Sequence, residues 1–383
     1  MIRTAESPSR FPVGRVHATN GRRTLAGMPL WKRLGFLIVF VVPALMPASA
    51  WLGARSGHLD AMAWFPLFFL FVLLPLVDYA LGHDPDNPPA SAVTALERDG
   101  WFRALTLLAL PAQVVAVAWS IRHALHAGFG SVGLVGWTLS LGIVGGVLAI
   151  NVAHELIHKD TRLERAFGGL LLTTVGYFGF KVEHVRGHHV HVSTPVDASS
   201  ARFGQSLWNF LPRALARNTR NAWRLEAERL RRRGLPSLHP RNELLGWSAL
   251  WLAMAAGLTV WLGIAALALF IVQGVVAASA LEIINYIEHY GLERARLANG
   301  RYETITHLHS WNSDYLVSNL FLFHLQRHSD HHETPRRRYQ LLLHHADSPQ
   351  LPGGYAAMFV LALFPPLWFR IVDPRVRAFR VAS

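Results

Sequence analysis

Residues 244–281 run for 38 positions without a single Asp, Glu, Lys or Arg. A stretch that apolar has no stable place in water. In a bilayer its backbone must satisfy its own hydrogen bonds, which makes it helical. It holds two spans of roughly 17–20 residues, with a turn near Gly263. Four more uncharged runs lie between Arg33 and Arg55, Asp60 and Asp78, and Arg103 and Arg122, and from Leu134 to Ala153. With 51% hydrophobic and only 16% charged residues, the chain is too apolar for an ordinary soluble domain. The expected fold is all-α: a polytopic integral membrane protein with six transmembrane helices. The stretch His83-Asp84-Pro85-Asp86-Asn87-Pro88-Pro89 breaks helix. The apolar runs 166–180 and 355–369 are 15 residues each, which suits short interfacial or buried helices.

Six spans bring both termini to one side of the membrane. Residues 1–33, basic and without the apolar core of a secretory signal, read as a poorly ordered cytoplasmic tail, and 34–383 as one membrane-embedded domain. Of 37 Lys and Arg, all but Arg55 and Arg122 fall on the side of the termini. The positive-inside rule makes that side cytoplasmic. The net charge of +13 is thereby assigned to cytoplasmic loops and anionic headgroups, with no nucleic acid as partner.

The same parity gathers four histidine blocks on the cytoplasmic side, as a cap over the spans. They are His154-Glu155-Leu156-Ile157-His158, Glu183-His184-Val185-Arg186-Gly187-His188-His189, Asn285-Tyr286-Ile287-Glu288-His289, and His328-Ser329-Asp330-His331-His332. Positions i, i+3 and i+4 share a helix face, so His328, His331 and His332 are expected to converge on one centre. With no cysteine in the chain, a metal must be held by nitrogen and oxygen. His154-Glu155-x-x-His158 alone matches the zinc metalloprotease motif, with Glu155 as base. One zinc would take three ligands and leave six of nine histidines unexplained. Nine imidazoles around two metals give four or five each, with positions left open. Imidazole suits iron, copper, nickel and zinc alike, so ligand type does not choose the metal.

The spacing H-x3-H, H-x3-HH, H-x2-HH resembles the membrane-bound diiron superfamily of fatty-acid desaturases, hydroxylases and alkane monooxygenases. HELIHK at 154–159, EHVRGHH at 183–189, NYIEHYGL at 285–292 and LQRHSDHH at 325–332 resemble the alkane 1-monooxygenase (AlkB) family. So do HSWNS at 309–313 and PQLPGGY at 349–355. Xylene-type methyl-group hydroxylases share much of the pattern and are the nearest enzymatic alternative, with fatty-acid hydroxylases or desaturases behind them. A membrane transporter or structural metal protein is the non-enzyme alternative. The resemblance covers roughly residues 34–380. It implies two irons bound by His154, His158, His184, His188, His189, His289, His328, His331 and His332, with O2 as co-substrate. It further implies terminal hydroxylation of medium-chain alkanes drawn from the bilayer, and electrons from a rubredoxin served by an NADH-dependent reductase. The setting would be the cell inner membrane. The stretch Thr194–Arg202, TPVDASSAR, departs from the family's TPxDPASSR by losing the second proline, while Asp197 stays.

Two ferrous ions with nine neutral imidazoles carry four uncompensated positive charges. Nearby acids that accept ring N–H groups would offset them. Glu155, Glu183, Asp197, Glu288 and Asp330 are the candidates. His191, His307, His309 and His324 read as structural or supporting residues, and His344 and His345 as a pair outside the ligand set. His17, His58, His83, His123, His126 and His239 read as solvated. Bulky residues of the first four spans, Trp51, Trp64, Phe65, Phe68 and Phe69, are expected to limit substrate length. The basic runs 224–233 and Arg336-Arg337-Arg338 are the expected docking surfaces for an acidic electron donor, the second being the stronger.

Overall fold

The computed structural model describes residues 24–25 and 27–382. The expected tail therefore falls largely outside the described residues. Among the described residues, six helices are long and apolar enough to cross a membrane: Leu30–Ser56, Leu59–Leu81, Gly100–His126, Ser131–Ile157, Glu243–Leu262 and Ile264–His289. Strand among the described residues amounts to the pairing of Thr24–Leu25 with Met28–Pro29.

The first span starts at Leu30, ahead of the uncharged run, because both basic residues near its start find acids. Lys32 lies 2.5 Å from Asp84, and Arg33 pairs with Asp99. Neutralised in this way, they extend the helix instead of ending it. The second span is irregular. Pro75 lacks the N–H that would bond Phe71, and a π-helical turn occupies Phe69–Leu73. The last two spans are separated by Gly263 alone, at φ 87°, a left-handed conformation that glycine adopts at no steric cost.

The fourth span is the centre of the bundle, with 72% of its apolar window buried. Small residues let its neighbours approach. A Cβ added at Gly142 would stand 2.4 Å from Cβ of Val276, so the fourth and sixth spans touch at the backbone. These two helices carry the first and third histidine blocks.

The 166–180 run becomes the helix Arg162–Thr174, capped by Thr161, whose Oγ1 accepts from the Glu164 N–H and donates to the Glu164 carboxylate. The 355–369 run splits into Tyr355–Ala362 and Pro365–Ala382, since Pro365 and Pro366 cannot continue a helix. Neither run spans. With the helix Leu207–Arg231 and the short helices at 180–191, Leu316–Phe321 and His328–Glu333, they form the layer over the spans.

Arg327 fastens that layer to the bundle. It is 1% exposed and donates to the carbonyls of Asp84 at 2.7 Å, Asp86 at 3.1 Å and Leu342 at 2.7 Å. The proline-rich breaker loop is thus a strut against the last histidine block. Arg327→Leu should cost about 3–5 kcal/mol by leaving buried carbonyls unpaired. Arg336→Leu, at an exposed position, should stay within about 0.5 kcal/mol. Denaturant unfolding in detergent micelles checks both.

Candidate metal centre

Each histidine block is placed by a helix end. His154 and His158 lie one turn apart where the fourth span leaves the bundle, just past a π-helical turn at Gly146–Ile150. His289 is the last residue of the sixth span. The second block contains a π-helical turn, His184–His188. That geometry matters, because i→i+5 bonding widens the turn and brings residues five apart to one side. His184 and His189 accordingly face together, and His188 faces elsewhere.

The nine histidines form two adjoining groups. His154, His158, His184, His189 and His331 make one, and His188, His289, His328 and His332 the other, with ligand atoms in each within 4.8 Å of one another. The rings of His189 and His332 meet across the boundary at 4.4 Å. His328, His331 and His332 therefore do not converge on one centre: His328 and His332, a full turn apart, face the second group, and His331 faces the first.

Nε2 of His189 stands 3.0 Å from Nε2 of His184 and 3.1 Å from that of His331. Nε2 of His328 stands 3.2 Å from that of His289 and 2.9 Å from that of His332. Burial, reinforced by the neighbouring rings, holds His158, His184, His189, His328, His331 and His332 well below the ordinary histidine range. Protons are thus disfavoured where lone pairs converge. Nε2 of His154, His158 and His188 is buried with no partner at all. An all-imidazole donor set with unpaired, converging nitrogens is what two nitrogen-preferring cations require.

A largely apolar cavity ends on this centre. His154, His184, His328 and Glu288 form part of its wall. Most of the rest is apolar, including Leu70, Phe71, Val147, Ile284, Phe321 and Phe359. Trp51, Trp64, Phe65, Phe68 and Phe69 are not in the wall. Trp51 is 61% and Phe68 49% exposed, because the helix rotates them outward. The second span does contribute, but through the face carrying Leu70, Phe71 and Leu74.

Residues 129–362 match the family model for fatty acid desaturase. The chain is 53% identical over 350 residues to alkane 1-monooxygenase 2 of Pseudomonas aeruginosa, covering 91% of this chain and 93% of the relative. It is 49% identical over 353 residues to alkane 1-monooxygenase 2 of Alcanivorax borkumensis, covering 91% and 92%. The chain belongs to the alkane 1-monooxygenase family. The xylene/toluene monooxygenase hydroxylase component of Pseudomonas putida is more distant from this chain than those two alkane 1-monooxygenases, at 32% over 246 residues, covering 64% of this chain and 65% of that protein.

Of the five acids picked out in this alkane 1-monooxygenase family member, two touch the centre. Asp197 accepts from His188 Nδ1–H at 2.9 Å, which outweighs burial and raises that ring's proton affinity. Asp197 is in turn held by Ser199 N–H and Ser200 Oγ. Glu288 reaches to 3.2 Å from His328 Nε2. Glu155 turns away, to Lys159 at 2.8 Å and the Tyr339 N–H at 3.2 Å, so the metalloprotease arrangement does not form. Asp330 faces Arg337, His345 and the Leu343 N–H. Glu183 is buried against Gly187, and burial with the charge of Asp197 pushes it up to about 8.

Sequence reasoning missed Glu282. It is fully buried and accepts from Tyr177 at 2.6 Å, Asn218 at 2.9 Å and Asn285 at 3.1 Å, and Asn218 links it through Ser199 to Asp197. The available signal was a carboxylate inside a span, two helical turns before His289. Among the described residues, the remaining histidines stay outside both groups. His324 Nδ1 meets the Tyr339 carbonyl, His309 meets Glu303 and His344 meets Asp314. His123, expected in solvent, is half-buried between Trp119 and Trp137.

Asp197→Asn should weaken metal retention roughly 10–100-fold, by removing the acceptor that fixes the His188 tautomer. Metal content after dialysis against graded chelator measures it.

Proposed function

We propose that this protein hydroxylates the terminal carbon of medium-chain n-alkanes to 1-alkanols, consuming O2, with one iron in each histidine group and electrons from rubredoxin. The observation that carries this reading is the apolar cavity between the spans, one part of whose wall is His154, His184 and His328. The alkane 1-monooxygenase relatives, much nearer in sequence than the xylene enzyme, favour alkanes over aromatic methyl groups. The inner membrane with a cytoplasmic centre is the matching placement, supported by the one-sided distribution of Lys and Arg.

Two irons, when bound, supply the redox chemistry that splits O2, with one atom entering the C–H bond and the other leaving as water. The chain does the rest. The wall of Leu70, Phe71, Val147, Ile284 and Phe359 takes an unfunctionalised chain out of the lipid and holds its end at the histidines. Holding the end there converts an unselective oxidation into a positional one. Asp197 keeps the proton of His188 on Nδ1, which leaves Nε2 free to bind. Glu288, in the cavity wall beside His328, is placed to accept or return a proton there.

Purified protein should hold close to two irons and little zinc. His328→Ala or His331→Ala should abolish octane hydroxylation and lower iron content. Phe71 and Phe359 pack at 4.7 Å in the cavity wall, so replacing either by alanine should shift the product profile to longer alkanes, and Trp51→Ala should not. Metal analysis and product profiles across alkanes, fatty acids and xylenes test both. Zinc at one per chain or a preference for xylenes would overturn the reading.

The docking expectation changes in detail. Arg337 is committed to Asp330 at 2.5 Å and Arg338 to Glu164 at 2.9 Å, both buried acids, so only Arg336 is largely free, at 78% side-chain exposure. Arg231, Arg232 and Arg233 are all exposed, with no acidic partner among the described residues. Changing Arg231, Arg232 and Arg233 to glutamine should raise the apparent KM for rubredoxin several-fold at low salt, with iron content unchanged. The difference from wild type should vanish as the Debye length falls from ~10 to ~3 Å. Steady-state kinetics against ionic strength measure it.

A further inference from the structure

Among the described residues, one more set of metal-ligating side chains comes together outside the two histidine groups. His307, Glu333 and His345 place ligand atoms within 4.8 Å of one another. They come from a loop, the end of the helix His328–Glu333, and the segment after Leu341. The rings of His307 and His345 lie face to face, with centroids 4.4 Å apart and planes 8° apart.

Each ring has its far nitrogen held by a carboxylate. Nε2 of His307 is 3.0 Å from Asp347, and Nε2 of His345 is 3.0 Å from Asp330. A proton on that nitrogen leaves Nδ1 of each neutral ring as an acceptor. Nδ1 of His307, however, faces Glu333 Oε2 at 3.1 Å, and that oxygen is an acceptor too. Only a cation or a second proton reconciles the two. A carboxylate on the far N–H is also how metal-bound histidines are oriented. The local charge points the same way. Of the three carboxylates, Asp330 is balanced by Arg337 at 2.5 Å, and Glu333 and Asp347 leave two negative charges for a divalent ion.

We propose that His307, Glu333 and His345 form a third metal site, for a divalent d-block ion of the zinc class, separate from the two histidine groups. Tetrahedral ligands with bonds of 2.0–2.1 Å stand roughly 3.3 Å apart, so side-chain rotation of an ångström or so closes the set. The side chains are 24%, 40% and 22% exposed, which gives the ion access from solvent and the rings room to turn. Bound there, the ion ties two loops to the end of the helix that carries His328, His331 and His332.

The test is a Co2+ titration of the full-length, iron-loaded protein, read by visible d–d absorption, by thermal midpoint and by iron content in the same sample. The expected result is one equivalent of cobalt beyond the iron, a raised midpoint, and binding weakened at least tenfold in His307→Asn and in Glu333→Gln with iron unchanged. Glu333→Gln is isosteric at a partly exposed position, so it decides the matter should His307→Asn not fold. Cobalt taken up only with matching loss of iron, no uptake, or wild-type binding in the variants would overturn the proposal and leave an imidazolium–carboxylate cluster.

Discussion

Nine imidazoles crowd together, and six of them bring Nε2 lone pairs to within about 3 Å of one another. Two acceptors at that distance in a low-dielectric interior repel, and burial removes the water that would soften the repulsion. Protons could bridge them, but burial and the neighbouring rings drive protons off. Cations are the remaining solution. Holding that arrangement ready for them is costly for the fold, and the rest of the molecule supplies the stiffness. Two blocks ride on the ends of tightly packed spans, and Arg327 pins the segment before the last block to the breaker loop. Around the rings, Glu183, Asp197, Glu282 and Glu288 are buried carboxyl groups that can offset the charge of bound cations. Burial with the charge of Asp197 holds Glu183 up to about 8, and nearby divalent ions would favour its ionised form.

The bilayer imposes a second requirement that the same helices meet. An apolar cavity has to reach a polar centre without opening the backbone to lipid. Three π-helical turns do this, at Phe69–Leu73, Gly146–Ile150 and His184–His188, and each contributes to the cavity wall. A π turn widens a helix locally while keeping its hydrogen bonds internal. The wall residues Leu70, Phe71, Gly146, Val147 and His184 all come from these turns.

Charge on the polar side is divided between structure and surface. Of the three arginines just past the last histidine block, Arg337 and Arg338 are held by the buried acids Asp330 and Glu164, and Arg336 is exposed. Those at the end of the helix Leu207–Arg231 and just beyond it face solvent. Proximity in sequence is therefore a poor guide to which cations a partner can meet.

The six spans were legible in the sequence because crossing a bilayer depends on apolarity summed over some twenty residues, a property of each segment by itself. The turn at Gly263 and the failure of the 166–180 and 355–369 runs to span were legible for the same local reason. The histidine blocks were visible through their spacing, and the family through its motifs. What the tertiary structure alone decided were matters of helix rotation and of contacts between distant segments. Whether His331 faces with His328 or against it, and whether His188 parts from His184 and His189, depends on local helix geometry and on what packs opposite. Trp51 and Phe68 turned outward, and Leu70 and Phe71 inward, because an almost uniformly apolar helix does not encode which face meets its neighbours. The selection of Asp197 and Glu288 from five acids, the burial of Glu282, and the meeting of His307 with Glu333 and His345 were likewise out of reach. Each joins residues whose approach is set by the packing of whole helices, and no local pattern in the chain carries that information.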